Sequence, residues 1–305
     1  MKKFPYPVIL DTDIGDDIDD TWALYYMFAS HAFDIRLIVV SNYDTAYKAN
    51  LVARLLEKAG RTDIPIAVAK ATSLPAGYVR GQGGWLGDYA AESYSGILYR
   101  EGYLDRIHET LVNARGKVCF FALGTNRTLA DYLTIYPQDK PMLQVYAMAG
   151  ALYKSYEGLT EVVPEFNVAS DLIASKIVYE SGVDYTMLPL DVCADLRLQG
   201  AEYERFLKSE SSYAAVIREN YKAWLKDAIY ENKNTLEAGS SILFDIVVPW
   251  YALHPEKFRV ETLPVYVDEK GLTKTGKGMP IHCALELCEK EALFRETVDL
   301  LCAKL

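Results

Sequence analysis

Residues 8–20, VILDTDIGDDIDD, constrain this chain more than any other stretch. Val8, Ile9 and Leu10 form an apolar run that is too short to span a membrane and suits a buried strand. Six aspartates follow within ten residues: Asp11, Asp13, Asp16, Asp17, Asp19 and Asp20. A helical pattern resumes after Asp20, which places the cluster on a strand-to-helix turn whose flexible residue is Gly15. Carboxylates this close repel one another unless a cation sits among them or some keep their protons. Open α/β sheets hold ligands at the carboxyl ends of parallel strands, so the turn reads as a divalent metal site. The alternative is a solvated acidic loop capping the helix, and the direct abutment on a core strand weighs against it.

A chain of 305 residues can bury a large core. Its 50% hydrophobic and 24% charged residues fit an ordinary globular protein. The net charge of −10 and the lack of any Lys/Arg run exclude nucleic acid as the expected partner. No stretch approaches a membrane span. Five cysteines, Cys119, Cys193, Cys283, Cys288 and Cys302, show no paired spacing. They read as reduced and mostly buried, which together with the absence of a signal-like start predicts a cytoplasmic protein.

Strands and helices alternate along the chain. Ile35–Val40, Ile64–Ala69, Val118–Leu123, Leu143–Met148 and Asp184–Leu190 read as further buried strands. Helices are expected over Thr21–Ala32, from Thr45 to Ala59 with Gly60 closing it, from Asn126 toward Pro137, and from Ser170 to Gly182. This spacing predicts an α/β fold: a mostly parallel open sheet flanked by helices, with right-handed crossovers. Leu196–Lys233 reads as helical. Pro249 prevents an unbroken helix over Phe244–Leu253. Arg259–Asp268 and Leu272–Cys283 predict a β-hairpin, with a final helix from about Leu285. No linker interrupts the alternation, so residues 1–305 are expected to form one domain. The glycine-rich stretch Gly77–Gly87 lacks phosphate-loop spacing; it reads either as a loop carrying Tyr78 and Trp85 over a pocket or as a structural turn.

The series Asp11-Thr12-Asp13-Ile14-Gly15, then Asp19-Asp20 before Ala23-Leu24, resembles the N-terminal signature of the inosine-uridine nucleoside hydrolases. Pro164-Glu165-Phe166-Asn167 with Asp171, Leu190-Asp191-Val192, and Asp245 continue the resemblance in the same order over most of the chain. What the resemblance implies is a calcium-dependent N-ribohydrolase that splits a nucleoside into ribose and free base, and a homo-oligomer, dimer or tetramer. Carried over by position, Asp13, Asp20 and Asp245 would bind Ca2+ with their side chains, and a backbone carbonyl near Arg127 would complete the protein ligands. Asp13 would also be the general base. Asp19, Glu165 and Asn167 would hold the ribose hydroxyls, with Asp44 or Asn42 assisting. Calcium's preference for six to eight oxygen ligands suits such a set, and carboxylates stabilise the oxocarbenium character left on a ribose as its base departs.

The chain departs from that pattern at several positions. Ile14 stands where the signature has proline, Leu159 where a loop asparagine is usual, and Arg127-Thr128 where Thr-Asn is usual. Two extra residues make Asp16 and Asp17 rivals of Asp19 and Asp20; the later pair is preferred because Ala23-Leu24 follows it. Phe244 replaces the histidine thought to protonate the leaving base, and His31, His108, His254 and His282 fall at no matching position. Stacking of the base on Trp85, Phe244 or a tyrosine is the expected substitute. Simpler roles are expected elsewhere: Asp191 binding backbone amides, Asp171 in a first helical turn, and Asp11 orienting a ligand. Two further readings stand beside the hydrolase, a non-catalytic nucleoside or ribose binder on the same scaffold and a haloacid dehalogenase-type phosphatase. An EF-hand is excluded by the position of Gly15 and the lack of a closing glutamate.

Overall fold

The apolar runs that stand between polar turns become the strands of a single mixed sheet. The computed structural model describes residues 3–227 and 236–304. Its strands are β1 (Pro7–Thr12), β2 (Asp34–Val40), β3 (Ile66–Val68), β4 (Leu98–Tyr99), β5 (Val118–Ala122), β6 (Leu143–Met148), β7 (Asp184–Leu188), β8 (Phe258–Val267), β9 (Thr273–Thr275) and β10 (Met279–Leu287). They lie in the order β4-β3-β2-β1-β5-β6-β7-β10-β8-β9. The pairings from β4 to β7, and β7 with β10, are parallel; β10–β8 and β8–β9 are antiparallel.

Both faces of the sheet are covered, which explains why its central strands are continuously apolar. Along β1, Val8 and Leu10 join a core with Trp22, Phe121 and Trp250, while Ile9 joins the opposite core with Phe120 and Val145. Every residue of the helix Asp19–Ser30 is buried, because that helix is sandwiched between the sheet and the helices Ser212–Asp227, Val247–Leu253 and Lys290–Leu301. Helices covered on all sides carry no polar stripe.

The chain winds one way from β1 toward β4 and the other way from β5 toward β7. The crevice between the carboxyl ends of β1 and β5 is therefore the topological switch point, where open α/β sheets bind ligands. Register pairs Leu10 with Phe121 and Asp11 with Ala122, so both strands release their turns at the same level.

Several expectations are revised by the structure. The third strand is only Ile66–Val68, and the Leu98–Tyr99 strand and the helix Tyr103–Ala114 went unread. The C-terminal hairpin is β8–β9, after which β10 inserts between β7 and β8; Leu285 is thus in a strand, and the last helix begins at Lys290. The run expected to be helical from Leu196 begins with an isolated bridge, Arg197 to Ile242, before the helices Gly200–Lys208 and Ser212–Asp227; its remainder to Lys233 lies outside the described residues. Pro249 is the third residue of a helix that starts at Val247, where a missing N–H breaks no bond.

Candidate active site

The acidic turn lies at the switch point and is held from below by close packing. Gly15 has φ +112°, and a Cβ there would stand 2.8 Å from the Tyr47 ring, so only glycine suits the bend. Gly124, just past β5, faces Asp13 so closely that a Cβ would come within 3.0 Å of its carboxyl carbon. Asp19 and Asp20 occupy the first turn of the helix Asp19–Ser30, where free N–H groups and the dipole favour negative charge.

Asp19, Asp20 and Asp245 each offer a carboxylate oxygen, and these oxygens all lie within 4.8 Å of one another. Asp20 Oδ1 accepts from Thr12 Oγ1 at 2.5 Å. Asp13 lines the same cavity, and its Oδ2 accepts from Asn42 Nδ2 at 3.3 Å. Buried Lys48 donates to the Asp13 carbonyl and to Asp16 Oδ2, the latter at 2.6 Å, and Tyr78 donates to Asp16 Oδ1 at 2.7 Å. Asp17 accepts from the Ile18 amide at 2.6 Å and faces the cavity.

Burial drives the protonation of this group. Desolvation pushes Asp13 and Asp17 up to about 6, with repulsion from neighbouring carboxylates adding to it and Lys48 opposing it at Asp13. Asp19, Asp20 and Asp245 are raised well above the ordinary value, first by burial and then by one another. Among the described residues, no basic side chain pairs with Asp19, Asp20 or Asp245. Three buried, mutually repelling, oxygen-only donors form a set that fits a hard divalent cation.

The cavity has a volume of about 640 Å³. Glu165 and Asn167 close it at the ends of β5 and β6. Glu165 accepts from the amides of Gly150, Asn167 and Val168 at 2.8, 2.7 and 3.1 Å, yet burial still raises it to about 7. Asn167 Nδ2 donates to the carbonyls of Leu123 and Met148 at 2.8 and 3.0 Å. Tyr156, Glu157, Phe166, Arg197, Trp224, Ser241, Ile242 and Phe244 line the remaining wall. Tyr156 and Phe244 meet edge to face, with ring centroids 5.9 Å apart.

A family model described as inosine-uridine preferring nucleoside hydrolase matches residues 8–293. The chain belongs to that family. By class it is a nucleoside hydrolase, an N-ribohydrolase. The pyrimidine-specific ribonucleoside hydrolase RihA of Citrobacter koseri is 25% identical over 291 residues, covering 90% of this chain and 87% of that protein. The RihA of Salmonella paratyphi C is 27% identical over 293 residues, with 90% and 88% covered. Among solved structures, the plant nucleoside hydrolase PpNRh1 shares the fold at TM-score 0.82 and 20% identity, covering 98% of this chain and 99% of that one. A purine-preferring ribonucleoside hydrolase from Gardnerella vaginalis does so at TM-score 0.76 and 19% identity, with 97% and 99% covered.

Against this nucleoside hydrolase frame, the expected site residues divide. Asp13, Asp19, Asp20, Glu165, Asn167, Phe244 and Asp245 all line one cavity. Asp19, expected at the sugar, stands with Asp20 and Asp245 as the third close carboxylate, whereas Asp13 lies outside that triad. Asn42 sits behind Asp13 rather than in the wall.

Three expectations are corrected. Trp85 does not line the acidic cavity; it lies in the short helix Gly83–Leu86, with the Arg54 guanidinium 4.5 Å from its ring. Asp44 spends its carboxylate on capping the Thr45–Ala59 helix through the Tyr47 amide at 3.1 Å and on Arg80 at 2.6 Å. Arg127 is the first residue of the helix Arg127–Ile135, where carbonyls accept intrahelical bonds, and its side chain turns to Asp171 at 2.6 Å; Leu123 represents this turn in the cavity wall.

Asp191 and Asp171 take the structural roles expected of them. Asp191 accepts from the Leu152 and Tyr153 amides, both at 2.8 Å, and Asp171 caps its helix through the Ala174 amide at 3.0 Å. Asp11 accepts from Thr128 at 2.9 Å. None of the four histidines lines the cavity, and Leu159 is an exposed loop residue away from it. The sequence reading missed Lys48, Tyr156, Arg197 and Trp224. Lys48 did leave a trace, a charge one turn before Leu51 and Val52 on the apolar face of its helix; the others left none.

Proposed function

We propose that this chain hydrolyses the N-glycosidic bond of a ribonucleoside to ribose and free base, with Ca2+ as its resident cation. The observation that carries this reading is the buried Asp19–Asp20–Asp245 triad beside Asp13 at the switch point of the sheet. Asp19, Asp20 and Asp245 would hold the cation, with Asp13 at its edge. When bound, the cation supplies Lewis acidity to a water and to the ribose diol. Asp13 acts as general base: Asn42 and the Gly124 approach fix its carboxylate, and its raised affinity for protons suits it to take one near neutral pH. Glu165 and Asn167 stand where sugar hydroxyls would be held, and the surrounding carboxylates stabilise positive charge on the anomeric carbon. Phe244 and Tyr156 offer rings to the base.

Assaying a nucleoside panel and a phosphate-ester panel with and without chelator tests this reading. Chelator-sensitive release of reducing sugar is the expected result. Phosphate release, or tight nucleoside binding without turnover, would replace the reading with the phosphatase or the binder; the family match favours neither.

A further inference from the structure

Beside the acidic turn, the chain leaves β2 in a conformation that its residues do not favour. Asn42 and Tyr43 have φ +63° and +50°, two consecutive non-glycine residues in the left-handed region. Asparagine tolerates that region, but a bulky tyrosine rarely enters it. Strain of this kind persists only where neighbouring contacts hold it. Here they come from Thr72, a half-buried residue in the loop after β3. Its amide donates to the Tyr43 carbonyl at 3.3 Å, and its Oγ1 accepts from the Tyr43 amide at 2.8 Å. The same Oγ1 donates to Asn42 Oδ1 at 3.2 Å, and Asn42 Nδ2 donates to Asp13 Oδ2 at 3.3 Å.

These bonds form a chain with one direction, from the Tyr43 amide through the Thr72 hydroxyl and the Asn42 side chain to the Asp13 carboxylate. A hydroxyl has a single proton to give, and that of Thr72 goes to Asn42 Oδ1. A carboxylate only accepts, so the end of the amide that faces Asp13 is Nδ2. Both neighbours thus select the same orientation of a buried amide. On its other side the Asp13 carboxylate meets Gly124. A Cβ there would stand 3.1 Å from Oδ1, so glycine keeps a side chain off that oxygen.

We propose that Thr72 is a positioning residue for the Asp13 base. It fixes the Asn42 amide, the amide holds Asp13 Oδ2, and Oδ1 is left to receive the proton. The proposal rests on the N-ribohydrolase reading. Aligned hydrogen bonds polarise one another, and a base must be held in a narrow geometry to act. Without the hydroxyl, Asn42 Oδ1 becomes a buried acceptor with its partner gone, and the Tyr43 amide loses the bond that holds the strained turn. The amide is then free to swing away from Asp13.

The test removes only the hydroxyl. Thr72→Val is isosteric, and the position is half-buried, so the variant folds. On the best substrate of a nucleoside panel, its kcat should fall about tenfold with KM within about twofold of wild type. Thr72→Ser keeps the hydroxyl and should stay within about twofold on both. In an Asn42→Ala background, Thr72→Val should cost less than about twofold, because a residue that acts through Asn42 has nothing left to position. A loss that is as large in that background, or that serine does not repair, or no loss at all, overturns the proposal and leaves the hydrolase reading standing. One readout does not use activity. In calcium-free protein the Asn42 side-chain amide proton bonded to Asp13 should resonate downfield, and Thr72→Val should move it back toward the ordinary amide position. An unmoved signal overturns the proposal as well. A wild type that releases ribose from no nucleoside overturns the hydrolase reading and the catalytic purpose of the contact, while the amide signal still decides whether Thr72 orients Asn42.

Discussion

The acidic end of the cavity comes mainly from one short turn, Asp13 to Asp20, joined from elsewhere by Asp245 and Glu165. The far wall is assembled from Tyr156, Arg197, Trp224 and Phe244, each on a different segment. The first end is dense, buried and electrostatically self-opposed, so its residues depend on one another and on a counter-charge. The second is built from aromatic rings, with Arg197 and Glu157 among them. The contrast predicts that substitutions at the acidic end abolish chemistry or cation binding outright, whereas substitutions on the wall grade the rate by substrate.

The largest expected effect tests the acidic end at Asp13. Asp13→Asn removes the proposed proton acceptor, and kcat should fall about 10³-fold. Calcium affinity measured by titration calorimetry separates its two expected roles. Affinity within tenfold of wild type makes Asp13 a base at the edge of the cation site, and a collapse in affinity makes it a ligand as well. Asp245→Asn comes next. Calcium affinity should fall more than tenfold, while the chelated variant melts higher than chelated wild type, because one of three buried repelling charges is gone. A chelated variant that melts lower would show that Asp245 is held by contacts stronger than the repulsion.

Stability against pH probes the same self-opposition without mutation. In the chelated protein, burial holds the Glu165 and Asp11 protons up to about 7, whereas an unfolded chain releases them at about 4. Between those values the folded state binds more protons than the unfolded one, so stability falls as pH rises through the window and stays reduced above it. The melting temperature of chelated protein should therefore drop from mildly acidic to mildly alkaline pH, and saturating calcium should flatten the drop. A melting temperature that rises with pH in the chelated protein would remove the electrostatic account of this end.

How much of this was legible in the sequence follows from how each part is built. The strands β1, β2, β5, β6 and β7 are covered on both faces, and that requirement writes itself as an unbroken apolar run. β4 has two residues and leaves no pattern, and the place of β10 between β7 and β8 depends on pairing that no local stretch encodes. The acidic turn was legible because its residues are consecutive. Its division of labour was not: the choice between Asp13 and Asp19 as the third close carboxylate is a matter of a few ångströms. Asp16 looked equal to its neighbours until Lys48 and Tyr78 were seen to occupy it. On the far wall, a single arginine and a single tryptophan in charged helical sequence look like surface until the fold turns them inward.

The smallest kinetic effect should come from the residue whose placement was most thoroughly revised, and it is read best beside Phe244. Phe244→Ala removes a ring from the wall, and base–aromatic stacking is worth about 1–3 kcal/mol, so kcat/KM should fall about tenfold with little change in melting temperature. Trp85→Ala should do the reverse. Its ring packs against the Arg54 guanidinium, and Arg54 also donates to the Trp85 and Leu86 carbonyls at 2.5 Å. The substitution keeps those carbonyls but deletes a large, mostly buried side chain at a cost of about 3 kcal/mol. The melting temperature should fall while kcat/KM at a temperature where the variant is folded stays within about twofold, since each 1.4 kcal/mol of barrier would cost tenfold. The helix carrying Trp85 packs against Ser212–Asp227, which carries Trp224 into the cavity. A kinetic loss in Trp85→Ala as large as in Phe244→Ala would therefore show that the two regions are coupled through that helix.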